Sequence, residues 1–317
     1  MKTVLASALV VASIAFEPCL KKRDTPLEYI LDEANRPENK YRGVQAPTSL
    51  DWRYANGQRY ATWTRNQHMP NYCGSCWAMS STSAFNDRIA IKYNNVFPEW
   101  DMAPQVLLDC DMADDGCHGG DPDNAYEYIV KEGIVSETCA PYEAVGHDTG
   151  RTCDSEARCK NCSPGKGGCV AQYPHQVWYA TEHGSVKGET DMISALQDGP
   201  IVCGMAVTQQ FEDYEGFAIF NDTTGDTSQD HAISIVGYGA DSAGTKYWIG
   251  RNSWGTYWGE DGYFRIVRGT NNLGIEVGCS WATPADKPVW LNSSSSAPKE
   301  KTGGLLQRLV KEGKEEL

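Results

Sequence analysis

Residues 67–77 read Gln-His-Met-Pro-Asn-Tyr-Cys-Gly-Ser-Cys-Trp, and the interpretation of the whole chain starts from this stretch. Immediately after it, small and apolar residues recur at the spacing of one helical face: Ala78, Ser81, Phe85 and Ile89. The pattern predicts a helix that begins at Cys76. Because a helix N-terminus carries partial positive charge, a cysteine placed there ionises more easily to its thiolate.

Two later motifs supply partners for such a thiolate. Asp-His-Ala at 230–232 offers an imidazole, and Asn-Ser-Trp-Gly at 252–255 offers an amide and an indole. His231 could take the thiol proton, Asn252 could accept the second imidazole N–H, and Trp254 could shield that contact from water. Taken singly, the cysteine, histidine and asparagine could be half of a disulfide, a buried core residue and a turn residue. The ordered set favours catalysis.

The combination resembles the papain family of cysteine proteases. The signature Cys-Gly-Ser-Cys-Trp at 73–77 is followed by His231 and Asn252 in the family's order. The resemblance implies that Cys76 attacks the peptide carbonyl with His231 as base. It also implies that the side chain of Gln67 and the backbone N–H of Cys76 donate to the oxyanion. The resemblance covers about residues 50–283, including Cys110, Cys117–Gly120, Gly237–Gly239 and Trp258–Tyr263.

Helical and strand-like patterns divide the body of the chain. Apolar residues at helical spacing ahead of Gly133 and Gly199 predict two helices besides the one at Cys76. Later come short strand-like runs, at residues 201–207, 231–238, 246–252 and 262–267. The pattern predicts an α+β fold. The papain resemblance implies two lobes, the first helical and the second an antiparallel, β-barrel-like sheet, with the active site in the cleft between them.

The loop before the signature narrows the resemblance. Gln67 lies nine residues before Cys76, whereas ordinary family members place it six before, so three residues are inserted. His68-Met69-Pro70 looks like the mini-loop of the cathepsin Z branch, also called cathepsin X, whose members are carboxypeptidases that remove single residues. An imidazolium here would pair with a substrate's terminal carboxylate, and the loop would block longer chains. The alternative for His68 is an exposed loop histidine.

Further substrate contacts are expected along the cleft. By resemblance, Gly119 and Gly120 would bind an extended substrate, and Trp254 would line the site. Asp121 and Pro122, which follow the glycine pair, are candidate lining residues of a substrate pocket.

The two ends of the chain differ from its body. The apolar run after Lys2 predicts a signal peptide at 1–15, with a buried core segment as the alternative, and 16–45 is predicted to be a short propeptide. The peptidase domain is placed at 46–284, helical over roughly 50–165 and β-rich over roughly 166–284. Residues 285–317 are Ser-rich and then Lys/Glu-rich, which predicts a low-complexity tail.

Twelve cysteines favour an oxidising compartment. Zinc is the competing interpretation, but Cys159-Lys-Asn-Cys162 has no second pair at zinc-site spacing, so no metal is expected. If Cys76 is free in the active enzyme, one other cysteine lacks a partner, and Cys19 is the obvious odd member. The resemblance implies a zymogen disulfide between Cys19 and Cys76. It also implies five further pairs: Cys73–Cys117, Cys110–Cys153, Cys139–Cys159, Cys162–Cys169 and Cys203–Cys279.

The destination predicted for the protein is the secretory pathway, ending in a lysosome, a vacuole or the extracellular space. Three sequons are candidate glycosylation sites: Asn161, Asn221 and Asn292. The formal net charge of −14 argues against a nucleic-acid-binding surface. The N-terminal apolar run is too short to span a bilayer.

The function predicted from the sequence is that of a monomeric cysteine-type exopeptidase, made as a zymogen and needing no cofactor. It would remove the last residue of peptides and proteins with a free C-terminus through a thioacyl intermediate on Cys76. One alternative is a papain-like endopeptidase or carboxydipeptidase. The other is a secreted binding protein on a protease fold.

Overall fold

The computed structural model describes residues 17–95, 100–164 and 168–293. The predicted signal peptide and the predicted tail beyond residue 293 lie outside these ranges. No helix within them is long and apolar enough to cross a bilayer. The α-helices in the described ranges are α1 (Pro37–Lys40), α2 (Cys76–Lys92), α3 (Pro104–Cys110), α4 (Pro122–Lys131), α5 (Ser155–Arg158), α6 (Gly188–Leu196) and α7 (Gln209–Glu212).

Short strands precede and flank a larger sheet. They are β1 (Leu50–Asp51), β2 (Lys160–Ser163), β3 (Gly168–Ala171) and β4 (His175–Val177). The later strands are β5 (Ala180–Val186), β6 (Ile201–Met205), β7 (Ile219–Phe220), β8 (His231–Ala240), β9 (Lys246–Arg251), β10 (Tyr263–Val267), β11 (Cys279–Pro284) and β12 (Val289–Leu291). The helix predicted at Cys76, the two predicted ahead of glycine and the four predicted strands are all present, with boundaries shifted by a few residues.

Helix α2 is buried far more completely than its sequence pattern predicts. Every residue from Cys76 to Ile89 is buried, including polar ones, because α2 lies between the helical lobe and the sheet. Ser80 and Thr82 satisfy their hydroxyls by donating to backbone carbonyls one turn earlier, at 2.7 and 2.8 Å. These local bonds allow polar side chains to occupy a buried helix face.

The main sheet is mostly antiparallel and open. Its strand order is β5-β11-β6-β8-β9-β10-β7, with β1 pairing to β8 beside this path. The α+β fold is confirmed, but the described strands do not close into a barrel, and β7 pairs with β10 in parallel. The prediction of an antiparallel, β-barrel-like second lobe is therefore corrected to an open, mostly antiparallel sheet. A strand as short as β7, which has two residues, can pair with the edge of the sheet in either direction, because it forms few inter-strand hydrogen bonds.

Two large hydrophobic clusters correspond to two lobes. One surrounds Trp77, Phe85 and the helices α3 and α4, and the other lies between the sheet and α6. The two lobes are not strictly consecutive in sequence: β1 lies in the range predicted for the helical lobe, but it pairs with β8 of the main sheet. Past the predicted domain end at 284, β12 still pairs with β4. The domain boundaries remain interpretations of sequence composition.

A buried ion pair joins the two lobes. The guanidinium of Arg251 on β9 donates to the carboxylate of Asp87 on α2 at 2.7 Å, and both side chains are almost fully buried. The hydroxyl and backbone N–H of Thr62 also donate to Asp87. Breaking such a pair by removing one charge leaves the other charge buried and unpaired.

We therefore expect Asp87→Asn to lower the free energy of unfolding by about 3–5 kcal/mol. The matched control on the same helix is the exposed pair of Lys92 with Asp286, whose carboxylate is 90% exposed. Asp286→Asn should cost less than about 1 kcal/mol. Guanidinium unfolding under non-reducing conditions measures the free energy of unfolding of both variants. Equal losses in the two variants would contradict a stabilising role for the Asp87–Arg251 ion pair.

Candidate active site

The sulfur of Cys76 lies at the start of α2 and is bonded to Cys19 of the predicted propeptide. All twelve cysteines are paired, and the six disulfides join the same cysteines that the resemblance implies. Cys159 and Cys162, whose spacing resembles a zinc site, each belong to a different disulfide. Neither sulfur is therefore a thiolate in this form of the protein.

The predicted propeptide runs through the cleft between the lobes. The N–H groups of Cys19 and Leu20 both donate to the carbonyl of Asp230, at 2.8 and 2.9 Å. On the other side, the N–H of Gly120 donates to Cys19 at 3.2 Å, and the N–H of Lys21 donates to Gly120 at 2.9 Å. The segment thus contacts both walls of the cleft with its backbone, as an extended peptide would.

His231, at the start of β8, faces the disulfide. Its Nδ1 lies 3.4 Å from the sulfur of Cys19, and its Nε2 lies 2.8 Å from Oδ1 of Asn252. That oxygen also accepts the backbone N–H of Ser253 at 2.8 Å, so it acts only as an acceptor. The Nε2 of the ring therefore carries the proton, and the Nδ1 lone pair points towards sulfur. Trp254 stacks on the ring with centroids 5.0 Å apart.

The protonation of His231 is strongly affected by its burial. Burial lowers its pKa to about 4, while the hydrogen bond to Asn252 opposes this and the nearby charge of His68 adds to it. An imidazolium with no anion beside it is costly to bury, and the disulfide form offers no thiolate.

Gln67 is held with its amide directed at the same sulfur atoms. Its Oε1 accepts the hydroxyl of Ser253 at 2.7 Å, and its Nε2 donates to the carbonyl of Cys73 at 3.0 Å. The same Nε2 lies 3.9 Å from the sulfur of Cys19. The side chain is fully buried and fixed at both ends, so the Nε2–H groups stay beside the position of the nucleophile.

Two residues that support Gln67 were missed in the sequence. Ser253 lies inside the Asn-Ser-Trp-Gly motif, which could have indicated a role for its hydroxyl. Tyr142 donates its hydroxyl to the backbone carbonyl of Gln67 at 2.7 Å, and its oxygen lies 2.7 Å from the hydroxyl of Ser75. No local pattern marks a tyrosine 75 residues away along the chain as a partner of Gln67.

The inserted loop places His68 next to this group. Its ring stacks on Tyr72 with centroids 4.7 Å apart, and its backbone N–H donates to Asn66 at 3.0 Å. Its Nε2 is buried and has no hydrogen-bond partner among the described residues. Burial lowers the pKa of His68. The ring is therefore partly enclosed and held by stacking, unlike an exposed loop histidine.

The glycine pair has a steric reason to be glycine. Gly119 has a φ of +108°, a conformation that favours glycine. A Cβ on Gly120 would lie 2.7 Å from the ring of Trp77. A Cβ on Gly119 would lie 3.0 Å from the carbonyl oxygen of Cys19, so Gly119 lets the chain in the cleft approach closely, whereas Gly120 leaves room for Trp77.

The three predicted glycosylation sites, Asn161, Asn221 and Asn292, are all exposed. Their modification remains a prediction.

Comparison with known proteins identifies the family. The model of the papain family cysteine proteases matches residues 46–283. The chain belongs to the papain family of cysteine proteases. The protease is 43% identical to a protein named cathepsin Z from Onchocerca volvulus over 75% of this chain and 78% of that protein. It is 32% identical to cathepsin B-like CP3 of Giardia intestinalis over 77% of each chain.

Solved structures agree with this assignment. The structure of proCathepsin B S9 from Trypanosoma congolense superposes with a TM-score of 0.64 at 26% identity, covering 84% of this chain and 86% of that one. Digestive procathepsin L 3 of Tenebrio molitor larval midgut superposes with a TM-score of 0.60 at 30% identity, covering 76% and 71%. The protease is thus a thiol hydrolase of peptide bonds with the papain-like two-lobe fold.

We expect the ring of His231 to stay neutral in the disulfide-bonded proform until the pH approaches about 4. Reduction and removal of the propeptide should raise this midpoint, because a Cys76 thiolate would stabilise the imidazolium. Histidine NMR titration measures both midpoints, with the signal assigned by its loss in His231→Gln. A midpoint near the ordinary value of about 6.5 in the intact proform would contradict the expectation.

Proposed function

We propose that this protease is a carboxypeptidase that removes single residues from the free C-terminus of peptides and proteins, and that it is made as a zymogen. The observation that carries the proposal is the buried Nε2 of His68, on a loop adjoining Gln67, which has no hydrogen-bond partner in the described part of the chain. A substrate carboxylate would supply the missing partner and favour the charged imidazolium. Burial makes the free ring harder to protonate, so acidic pH should favour this recognition.

The proposed reaction uses the residues around Cys76. Its thiolate attacks the carbonyl carbon of the last peptide bond, and the oxyanion accepts hydrogen bonds from the Cys76 N–H and the Gln67 side chain. The His231 imidazolium gives its proton to the leaving amine, which departs as the free C-terminal residue. A water molecule, deprotonated by His231, then attacks the thioester and releases the shortened peptide. Asn252 keeps the imidazole directed at sulfur.

The proposed zymogen depends on the disulfide between Cys19 and Cys76. A sulfur in a disulfide is not a nucleophile for peptide bonds, and the attached segment fills the cleft. The six disulfides support a secretory protein, so the proposed location is a lysosome, a vacuole or the extracellular space. We propose that it acts as a monomer.

The first test compares a peptide with a free C-terminus and the same peptide amidated. The activated protease should trim single residues from the free acid, and His68→Ala should lower kcat/KM for the acid by roughly tenfold or more while amide cleavage stays slow. His118→Ala, at an exposed histidine, is the matched control. Internal cuts in both peptides would favour an endopeptidase, and release of dipeptides would favour a carboxydipeptidase.

The second test concerns the zymogen. The intact proform should resist alkylation by iodoacetamide, whereas Cys19→Ser should expose one thiol, at Cys76, without a reductant. Removing the remote Cys162–Cys169 disulfide by double serine substitution should leave Cys76 protected. Mass mapping reads out the labelled cysteine, and a labelled Cys76 in the unreduced parent would refute the zymogen disulfide. Binding activity that survives Cys76 alkylation without any turnover would instead favour a secreted binding protein.

A further inference from the structure

The propeptide residues next to Cys19 show which surfaces of the cleft contact side chains. Cys19 occupies the position of the reacting residue, and Leu20, one residue away, is bracketed by the two backbone hydrogen bonds to Gly120. Because both the N–H and the C=O of Gly120 are used, an extended substrate could pair there in either direction. The substrate residue next to the one that supplies the scissile carbonyl would therefore lie at Gly120.

The side chain of Lys22 reaches a recess on the same wall. Its Nζ donates to the carbonyl of Gly278 at 2.7 Å in a partly buried position. If Gly278 carried a Cβ, the nearest atom to it would be this Nζ, at 3.3 Å. The absence of a side chain at Gly278 thus makes the space in which the ammonium lies.

Leu20 and Lys22 lie over one continuous surface, which is formed by the backbone at Gly204 and Gly278 and is called the floor of the recess below. A Cβ on Gly204 would lie 2.6 Å from Cδ2 of Leu20. Cys203 on β6 pairs with Cys279 on β11, and Gly204 and Gly278 flank this antiparallel pair on the same side. Neighbouring strands are about 4.8 Å apart. A side chain longer than leucine, entering at the position of Leu20, could therefore extend across both glycines.

Two buried carboxylates lie near the segment that carries Lys22, and one of them, Asp121, accepts the backbone N–H of Arg23 at 2.7 Å. Asp121 and Asp123 are each 1% exposed, and Asp123 accepts the hydroxyl of Ser280, two residues after Gly278 along the chain. Burial lowers the pKa of Lys22, and the charges of Asp123 and Asp121 oppose this effect, with Asp123 the stronger. Burial also raises the pKa of Asp123, which the ammonium of Lys22 counteracts. The two carboxylates therefore offset part of the cost of burying an ammonium in this recess.

We propose that this recess is a substrate pocket selective for lysine or arginine on the residue immediately before the one that supplies the scissile carbonyl. Lys22 occupies it in the proform, and the substrate side chain occupies it after the propeptide has left. The carboxylate of Asp123 selects for a positively charged side chain. The absence of side chains at Gly204 and Gly278 makes the pocket long enough for lysine or arginine. The inference deepens the proposed function and rests on it only in requiring Cys76 as the nucleophile.

The test uses two peptidyl chloromethyl ketones, acetyl-Lys-Ala and acetyl-norleucine-Ala, on the reduced and processed protease. Norleucine matches the length of lysine without its charge, and neither reagent carries a C-terminal carboxylate. Mass spectrometry follows the alkylation rate of Cys76. We expect the lysine reagent to react roughly tenfold faster, and Asp123→Asn to bring the ratio close to one without slowing the norleucine reagent.

The matched control is Asp115→Asn, because Asp115 binds the neighbouring Lys21 at an exposed position and should not affect the ratio. If Asp123→Asn folds poorly, Gly278→Val offers a second test, since it should slow both long reagents relative to an acetyl-Ala-Ala reagent. Equal rates in the parent protease, or a ratio unchanged by Asp123→Asn, would overturn the pocket. A lysine preference without trimming of free C-termini would reject the carboxypeptidase and keep the pocket. Single-residue trimming without a lysine preference would do the reverse.

Discussion

An ionised carboxylate buried in a protein is costly unless a cation or hydrogen-bond donors compensate it, and here the cation that compensates Asp87 joins the two lobes. Asp87 lies on the helix that begins at Cys76, and Arg251 immediately precedes Asn252 along the chain. Their ion pair therefore joins the helix that begins at Cys76 to the strand that leads to Asn252, the hydrogen-bond partner of His231. Both charges are desolvated, so small displacements of either element would lose hydrogen bonds that water could not replace.

The polar groups around the Cys19–Cys76 disulfide form one hydrogen-bond network, which begins at the residue after Arg251. Asn252 binds the imidazole, Ser253 binds the side chain of Gln67, and the backbones of Gln67 and Ser253 are themselves hydrogen-bonded. The imidazole and the amide are thus positioned by adjacent residues of one segment. This explains how two groups that are distant in sequence can face the same sulfur atom from different sides.

Local patterns in the sequence predicted much of this molecule, because they depend on neighbouring residues. Helical spacing after Cys76, glycine after the shorter helices and the short apolar runs beyond residue 200 all correspond to observed elements. The order of cysteine, histidine and asparagine indicated the protease family, which the family model confirms, whereas the role inferred for His68 from the inserted loop stays a prediction. The full burial of α2 was not predictable, since its polar residues depend on partners such as Arg251 that lie far away along the chain.

Other features depend on register and on pairing between distant segments. Gly204 and Gly278 are unremarkable glycines in the sequence, and their shared floor exists only because β6 and β11 pair with Cys203 opposite Cys279. The position of Lys22 depends on the disulfide that fixes Cys19. Cysteine counting alone left many pairings open, and only the family resemblance reduced them to one set.

The covalent link between Cys19 and the sulfur of Cys76, the proposed nucleophile, also separates two events that are often treated as one. A cut in the chain between Lys21 and the start of the folded body would free the predicted propeptide from the polypeptide but not from the cleft. A short peptide that ends at the cut would remain attached to Cys76 through its own cysteine. Only an incoming thiolate that attacks this disulfide can remove it. Both a protease and a thiol are therefore required, but they can act one after the other in different compartments: a molecule cleaved first stays capped until it reaches reducing surroundings.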